Sequence, residues 1–457
     1  MRNIWALVII VILAHSALYL HIYKNFPDIG KSFDTQYTNI SENLYRYGAY
    51  STGERDASGN LLPTLSEPPL YVALYFVSYK IFGITPAADE AMRILQTIAN
   101  IGVIFVCWRI GALFGDSVGR TAVLFAAFDL TAFYFAQNYQ IPDTLLGFFM
   151  ALWLLYSIKF FKDTPSFKNI FLSTLFLGLA MWTKIAVYLL WAPLTLFLII
   201  FLWYDKRLDR HAKMRVFAVF AAVILFFFGG WKVHNYVTTG YSAFSSGATS
   251  LRWNASHLIA YQQGISRVEA VKVIENEYIT KEVLHMDEGA REQHLASKMS
   301  RLILQSPVDF SAVVLKAMPG MFLGTFPPYM LLHDSNVEQL MSQVEATHGF
   351  RSLIPSLWKE GQIMYVFIYG LAKFHLLLMY GMALVAGALF LRNSSLRWIL
   401  IVMFLTVAYT IAVSGAAAQS RYRTIVFPIF YVLAGYGMII ILEKIKKIYA
   451  NTRQHPL

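Results

Sequence analysis

The chain has 457 residues, of which 57% are hydrophobic, 16% aromatic and only 14% charged, whereas soluble domains carry about a quarter charged residues. That balance points to an integral membrane protein with room for about ten to twelve spans of about 20 residues. The formal charge of +11 comes from Lys and Arg in short loops beside apolar runs, a membrane-topology signal that argues against a nucleic-acid partner.

In chain order, the first twenty residues (Arg2, then an apolar run from Ile4) resemble a signal peptide without a small-residue cleavage site, and predict an uncleaved signal-anchor. A polar, turn-rich stretch follows from Ser32 to Pro69, with Asp34 just beyond the first apolar run. Further apolar runs cover about 94–114, 121–135, 143–161, 170–182, 186–203, 216–233, 365–391, 396–414 and 425–442. The single cysteine, Cys107, lies inside one of them and reads as a small buried hydrophobe, since no Cys/His spacing resembles a zinc site. Two stretches, 68–82 and 313–332, are short or interrupted by Pro and Gly and read as juxtamembrane or re-entrant.

With those two not spanning, Arg2 and the basic loops 159–168, 205–215 and 444–453 all fall on one side, which the positive-inside rule makes cytoplasmic. The expectation is an all-α polytopic protein of ten spans with both termini inside. Its parts are a transmembrane module over 1–234 with a first outer loop at 24–92, a non-cytoplasmic helical region over 235–362, and C-terminal spans with a basic tail over 363–457. No internal repeats or low-complexity tracts occur.

The same parity places Asp34, Asp143, Arg93, Lys184, Arg421 and Arg423 on the non-cytoplasmic side. Asp34 and Asp143 are each also ordinary helix-start residues. Arg93, Lys184 and the Arg421/Arg423 pair are equally ordinary interfacial anchors. Their convergence on one face is what marks a candidate site. A carboxylate there can deprotonate a hydroxyl, while Arg or Lys stabilises a departing phosphate by charge-assisted hydrogen bonds. Glu67 precedes Pro68-Pro69, which fix an extended approach to the next apolar stretch. Tyr37 and Tyr71 are suited to stacking on sugars and equally to an aromatic belt.

The ordered set Asp34-x-x-Tyr37, Asn43-Leu44, Gly48-x-Tyr50-Ser51, Pro68-Pro69-Leu70-Tyr71 and Phe82-Gly83 resembles the first outer loop of bacterial glycosyltransferases. These are the protein-mannosyltransferase-like and RgtA/B/C/D-like members of the glycosyltransferase C superfamily. Arg93-Ile-Leu-Gln96, Ile141-Pro-Asp143-Thr-Leu-Leu146, Gly178-Leu-Ala-Met-Trp-Thr183-Lys184, Trp231-Lys-Val-His-Asn235 and Arg421-Tyr-Arg423 continue the likeness in order. The resemblance implies a C-type fold in the cytoplasmic (inner) membrane and an inverting transferase working at its outer face. The implied donor is a sugar on polyprenyl phosphate, and the implied acceptor is a hydroxyl of a lipid-linked glycan, lipopolysaccharide or protein. It further implies Asp34 as base or acceptor-binding carboxylate, with Asp143 matching the second-loop aspartate; apart from the resemblance, two carboxylates, Asp34 and Asp143, are compatible with Mg²⁺ or Mn²⁺ but do not demand a metal. Phosphate binding would fall to Arg93, Lys184, Arg421 and Arg423, and Tyr37, Glu67, Tyr71, His234 and Asn235 would line the substrate. Glu67 and His234 depart from the family, where a basic residue and an arginine usually stand. A transporter or flippase of lipid-linked oligosaccharides is the alternative, although such proteins often show the internal repeats missing here.

Overall fold

The structure, a computed structural model, describes residues 9–454 apart from 11, 18, 21–23, 25–34, 56–57, 139, 163–164, 246, 287, 325–362, 394–395 and 418–419. Asp34 lies outside the described residues. Regular structure among them is helical, with one isolated antiparallel bridge between Arg55 and Leu61.

The first outer loop forms α1 (Gln36–Tyr47) and α2 (Pro69–Phe82), joined by an irregular segment. α1 stops at Gly48, whose φ of 70° suits glycine best. α2 begins on Pro69, where a missing N–H costs nothing. At 14 residues it is about 21 Å long, shorter than the hydrocarbon layer of about 30 Å, consistent with a juxtamembrane helix.

The bundle follows as α3 (Pro86–Ala112), α4 (Asp116–Ala127), α5 (Leu130–Gln137), α6 (Asp143–Lys162), α7 (Phe167–Thr183) and α8 (Trp191–Tyr204). Next, α9 (Arg210–Ile224) runs through a π-turn at Leu225–Gly229 into α10 (Gly230–Thr239). The second half adds α11 (Ala248–Gln263), α12 (Arg267–Tyr278), α13 (Glu288–Gln305), α14 (Pro307–Leu323), α15 (Ile363–Arg392), α16 (Arg397–Ser414) and α17 (Phe427–Gln454).

Among the described residues seven helices are long and apolar enough to cross a membrane, or eight if the bent pair α4–α5 is one span. α7, at 17 residues, is a shorter apolar helix. The apolar run 121–135, expected as one span, is broken by a 57° bend between α4 and α5. Asp129 makes the bend: its carboxylate caps α5 by accepting from the Thr131 and Ala132 amides and takes the Tyr431 hydroxyl at 2.9 Å. α6 is the most enclosed span, 67% buried against 28% for 210–239, so it forms the centre of the packed core. Glycines let its neighbours approach: Gly178 of α7 lies on the Phe227 ring of the π-turn, and Gly435 of α17 lies on the backbone of α4.

The basic loops 159–168 and 205–215 meet at one end. Arg207 holds Asp205 at 2.9 Å and reaches the Phe161 carbonyl, and Lys162 reaches the Leu113 carbonyl. Trp398 at the start of α16 packs on Phe201 and Tyr204 there. Because α6, α7 and α8 run the length of the bundle from or toward that end, Asp143 and Lys184 stand at the opposite one.

Candidate active site

At that opposite end lies a cleft of about 330 Å³, walled by Gln36 and Tyr37 of α1, Ser66 and Glu67 before α2, and Ile141 and Pro142 before α6. Lys184 and Ile185 after α7, the segment from Ser245 to Trp253, and Arg421 with Tyr422 complete it. Residues from six separate parts of the chain thus meet in one cavity.

Its centre is an ion pair. Asp143 is the first residue of α6, where the helix dipole favours an anion. Lys184 breaks α7 by turning extended (φ −154°, ψ 138°), which carries its side chain back across the bundle. The ammonium meets Asp143 Oδ1 at 2.6 Å with both groups buried, while Asp143 Oδ2 has no hydrogen-bond partner among the described residues. Tyr422 collects both cations: Lys184 Nζ lies 5.7 Å and the Arg421 guanidinium 5.6 Å from its ring centre. The cleft therefore presents two positive groups above a buried carboxylate, with Glu67 on its wall.

The wall is held by backbone bonds. Tyr50 donates its hydroxyl to the Glu67 carbonyl at 2.8 Å, and Ser245 donates to the Ser66 carbonyl at 2.8 Å. Burial, and then the Glu67 carboxylate, push the Tyr50 phenol well above its ordinary pKa. Tyr37 packs edge-on against Tyr71 with centroids 5.4 Å apart. Tyr71 is buried and lies outside the cleft lining, its hydroxyl taking a hydrogen bond from Gln96 Nε2 at 2.9 Å. Gln96 also accepts from the Leu145 amide at 2.9 Å and donates to the Ile141 carbonyl, so it fixes the start of α6 against α2.

Four other expected residues stand elsewhere. Arg93 is buried outside the lining, 3.6 Å from the Glu90 carboxylate. Arg423 is fully buried and donates to the carbonyls of Phe322 at 2.7 Å and Gly324 at 2.5 Å, capping the end of α14. Asn235 donates to the Ala243 and Phe244 carbonyls, a bracing role. His234 stacks on Trp231, centroids 4.7 Å apart, and faces a second cleft of about 400 Å³ on the other side of the segment 63–69. Trp253 enters the site without standing out in the sequence, and Gln96 and Tyr422 stand there only within motifs, with no role of their own; in a membrane protein their types read as belt or core.

Of the two expected metal ligands, Asp34 lies outside the described residues. Asp143 already carries the Lys184 ammonium, and no three His, Cys, Asp or Glu side chains gather as ligands among the described residues.

Residues 66–231 match the family model of dolichyl-phosphate-mannose-protein mannosyltransferase. No curated protein matches the chain. Among solved structures, the archaeal oligosaccharyltransferase AglB from Archaeoglobus fulgidus, in complex with an inhibitory peptide and a dolichol-phosphate, aligns at 12% identity and a TM-score of 0.47. That alignment covers 92% of this chain and 48% of the other, so the chain spans about half the length of that relative. ArnT from Cupriavidus metallidurans, bound to undecaprenyl phosphate, aligns at 13% identity and a TM-score of 0.40, over 95% of this chain and 78% of that one. The stretch over 66–231, similar to the dolichyl-phosphate-mannose-protein mannosyltransferase family, contributes Glu67 and Lys184 to the cleft lining and carries Asp143, which pairs with Lys184 behind it.

Proposed function

We propose that this chain is an inverting glycosyltransferase that moves a sugar from a polyprenyl-phosphate donor to an acceptor hydroxyl on the non-cytoplasmic face of the membrane. The observation that carries the reading is the meeting of Lys184 and Arg421 in one cleft with Glu67 and Tyr37, beside the buried Asp143. The family match over 66–231 supports the same donor class. In this reaction a carboxylate accepts the proton of the acceptor hydroxyl. The oxygen attacks the anomeric carbon from the face opposite the phosphate, the carbon–oxygen bond to phosphate breaks, and the lipid phosphate leaves with the bonding pair. Lys184 and Arg421 bind the leaving phosphate, whose negative charge grows as the bond breaks. Asp143 holds the Lys184 ammonium toward the cleft. Asp34 is the proposed base, two residues before the cleft residue Gln36. Hydroxyls of a lipid-linked glycan, lipopolysaccharide or protein are the proposed acceptors.

A nearly apolar groove of about 760 Å³ between α15, α16 and α17 supports a lipid donor. It is lined in part by Phe322, whose carbonyl is held by Arg423, two residues from Arg421. A polyprenyl tail in that groove would bring its head close to the cleft.

The test is transfer of labelled sugar from purified polyprenyl-phosphate donors to an extractable product. Asp34→Asn should fold normally and lose turnover by at least about a hundredfold; near-normal turnover would remove Asp34 as the base. Movement of intact lipid-linked glycan without a new covalent product would favour the flippase.

A further inference from the structure

We infer that Trp253 is the platform on which the sugar of the donor stacks, an inference that rests on the polyprenyl-phosphate reading above. Gln36, Ser66, Glu67, Lys184, Ser250 and Arg421 supply polar groups to the cleft beside an apolar wall of Ile141, Pro142 and Ile185. Trp253 is the largest side chain of the lining and is 38% exposed where an indole of that size would ordinarily be covered. Its position on α11 places it with Thr249 and Ser250, at i−4 and i−3, on one helix face, and all three line the cleft.

Two contacts fix that face. The Asn254 carboxamide accepts the Ala416 amide at 2.7 Å and donates to the Ser250 carbonyl at 3.1 Å, which sets the roll of α11. A side chain at Gly415, whose φ is +54°, would strike Asn254, so the two segments close only with glycine there. The chain past Ala416 leads to Arg421 and Tyr422, so the same bond sets the indole in register with the cationic end of the cleft. Behind the indole, the Arg267 guanidinium lies over the ring, 4.5 Å from its centre, and outside the cleft lining. One ring face is thereby occupied by a cation, and a single face is left for a ligand.

A sugar ring suits that face. Its axial C–H groups form an apolar patch that rests on the negative face of an aromatic ring, while its hydroxyls reach Ser250, Thr249 and Glu67. A bare lipid phosphate has no such patch, so the platform acts on the sugar and not on the carrier.

The experiment titrates the full-length chain in nanodiscs with undecaprenyl phosphate, bare or carrying mannose, glucose or arabinose. Wild type, Trp253→Ala and Trp253→Phe are compared. Wild type should bind at least one glycosylated lipid more tightly than the bare carrier, and Trp253→Ala should weaken that binding by about tenfold while leaving the bare carrier within about twofold. Trp253→Phe should recover most of the loss. Equal losses for bare and glycosylated lipid, or unchanged binding, would overturn the platform while leaving the donor class intact. A wild-type chain that binds none of the four lipids would overturn the polyprenyl-phosphate reading and the platform with it.

Discussion

The Lys184–Asp143 pair is the residue-scale feature on which the cleft depends. Both groups are taken out of solvent, and the pair is stable only because each neutralises the other. Lys184→Met should therefore cost about 3–5 kcal/mol, because it leaves a buried carboxylate without a counter-charge. The double change Lys184→Met/Asp143→Asn should recover much of that loss. Denaturant unfolding in detergent checks both, and a double variant no more stable than the single one would show that the pair is not coupled. Asp143 and Lys184 were legible in the sequence because each is a charged group at a span mouth, where such a group needs a reason, whereas Glu67 and Tyr37 stood out only as polar and aromatic residues of the first outer loop. The difference between Arg421 and Arg423 was not legible. They lie in the 3₁₀ turn Ser420–Ile425, where residues two apart point about 240° apart around the axis. One therefore reaches the cleft while the other caps α14, and only the packing of the turn decides which.

At the scale of elements, hydropathy located the helices but not their interruptions. The run 121–135 looks continuous because Asp129 is the single charged residue in an apolar window; its capping bonds to the Thr131 and Ala132 amides are local, but the Tyr431 hydroxyl comes from a three-dimensional neighbour that hydropathy does not contain. Glycine crossings are invisible for the same reason. A Cβ on Gly435 would meet the Ala122 amide nitrogen at 2.8 Å and the Val118 carbonyl oxygen at 2.9 Å, both backbone atoms that cannot swing aside. Gly435→Ala should force α17 away from α4 at a cost of about 1–3 kcal/mol, read as a lower unfolding temperature. In the outer helices, burial, and then the Arg267 charge, lower the pKa of His257 below its ordinary 6.5. The unfolded chain therefore takes up that proton first, and stability falls as pH drops through about 6.5. His257→Gln should flatten that part of the pH profile of unfolding, and an unchanged profile would assign the acid sensitivity elsewhere.

For the whole molecule, loop charge foretold which ends share a side, and the packing of Arg207 and Lys162 at one end with the cleft at the other agrees. In a Cys107→Ala background, Lys206→Cys and Glu54→Cys should react with an impermeant maleimide from opposite faces of intact membranes; labelling from one face would break the topology. α17 runs without interruption from Phe427, two residues after the turn bearing Arg421, to Gln454 in the basic tail. Its 28 residues make a strut of about 42 Å, longer than the hydrocarbon layer of about 30 Å. One end stands by the cation that would grip the lipid phosphate, and the other carries Lys444, Lys446, Lys447 and Arg453, a charge cluster suited to an anionic lipid surface. Thinning the bilayer or stripping its negative charge should therefore shift the far end of that strut and move Arg421 relative to Lys184. Carrier affinity should accordingly follow acyl-chain length in reconstituted membranes, and should stop doing so when the strut is cut after Leu442.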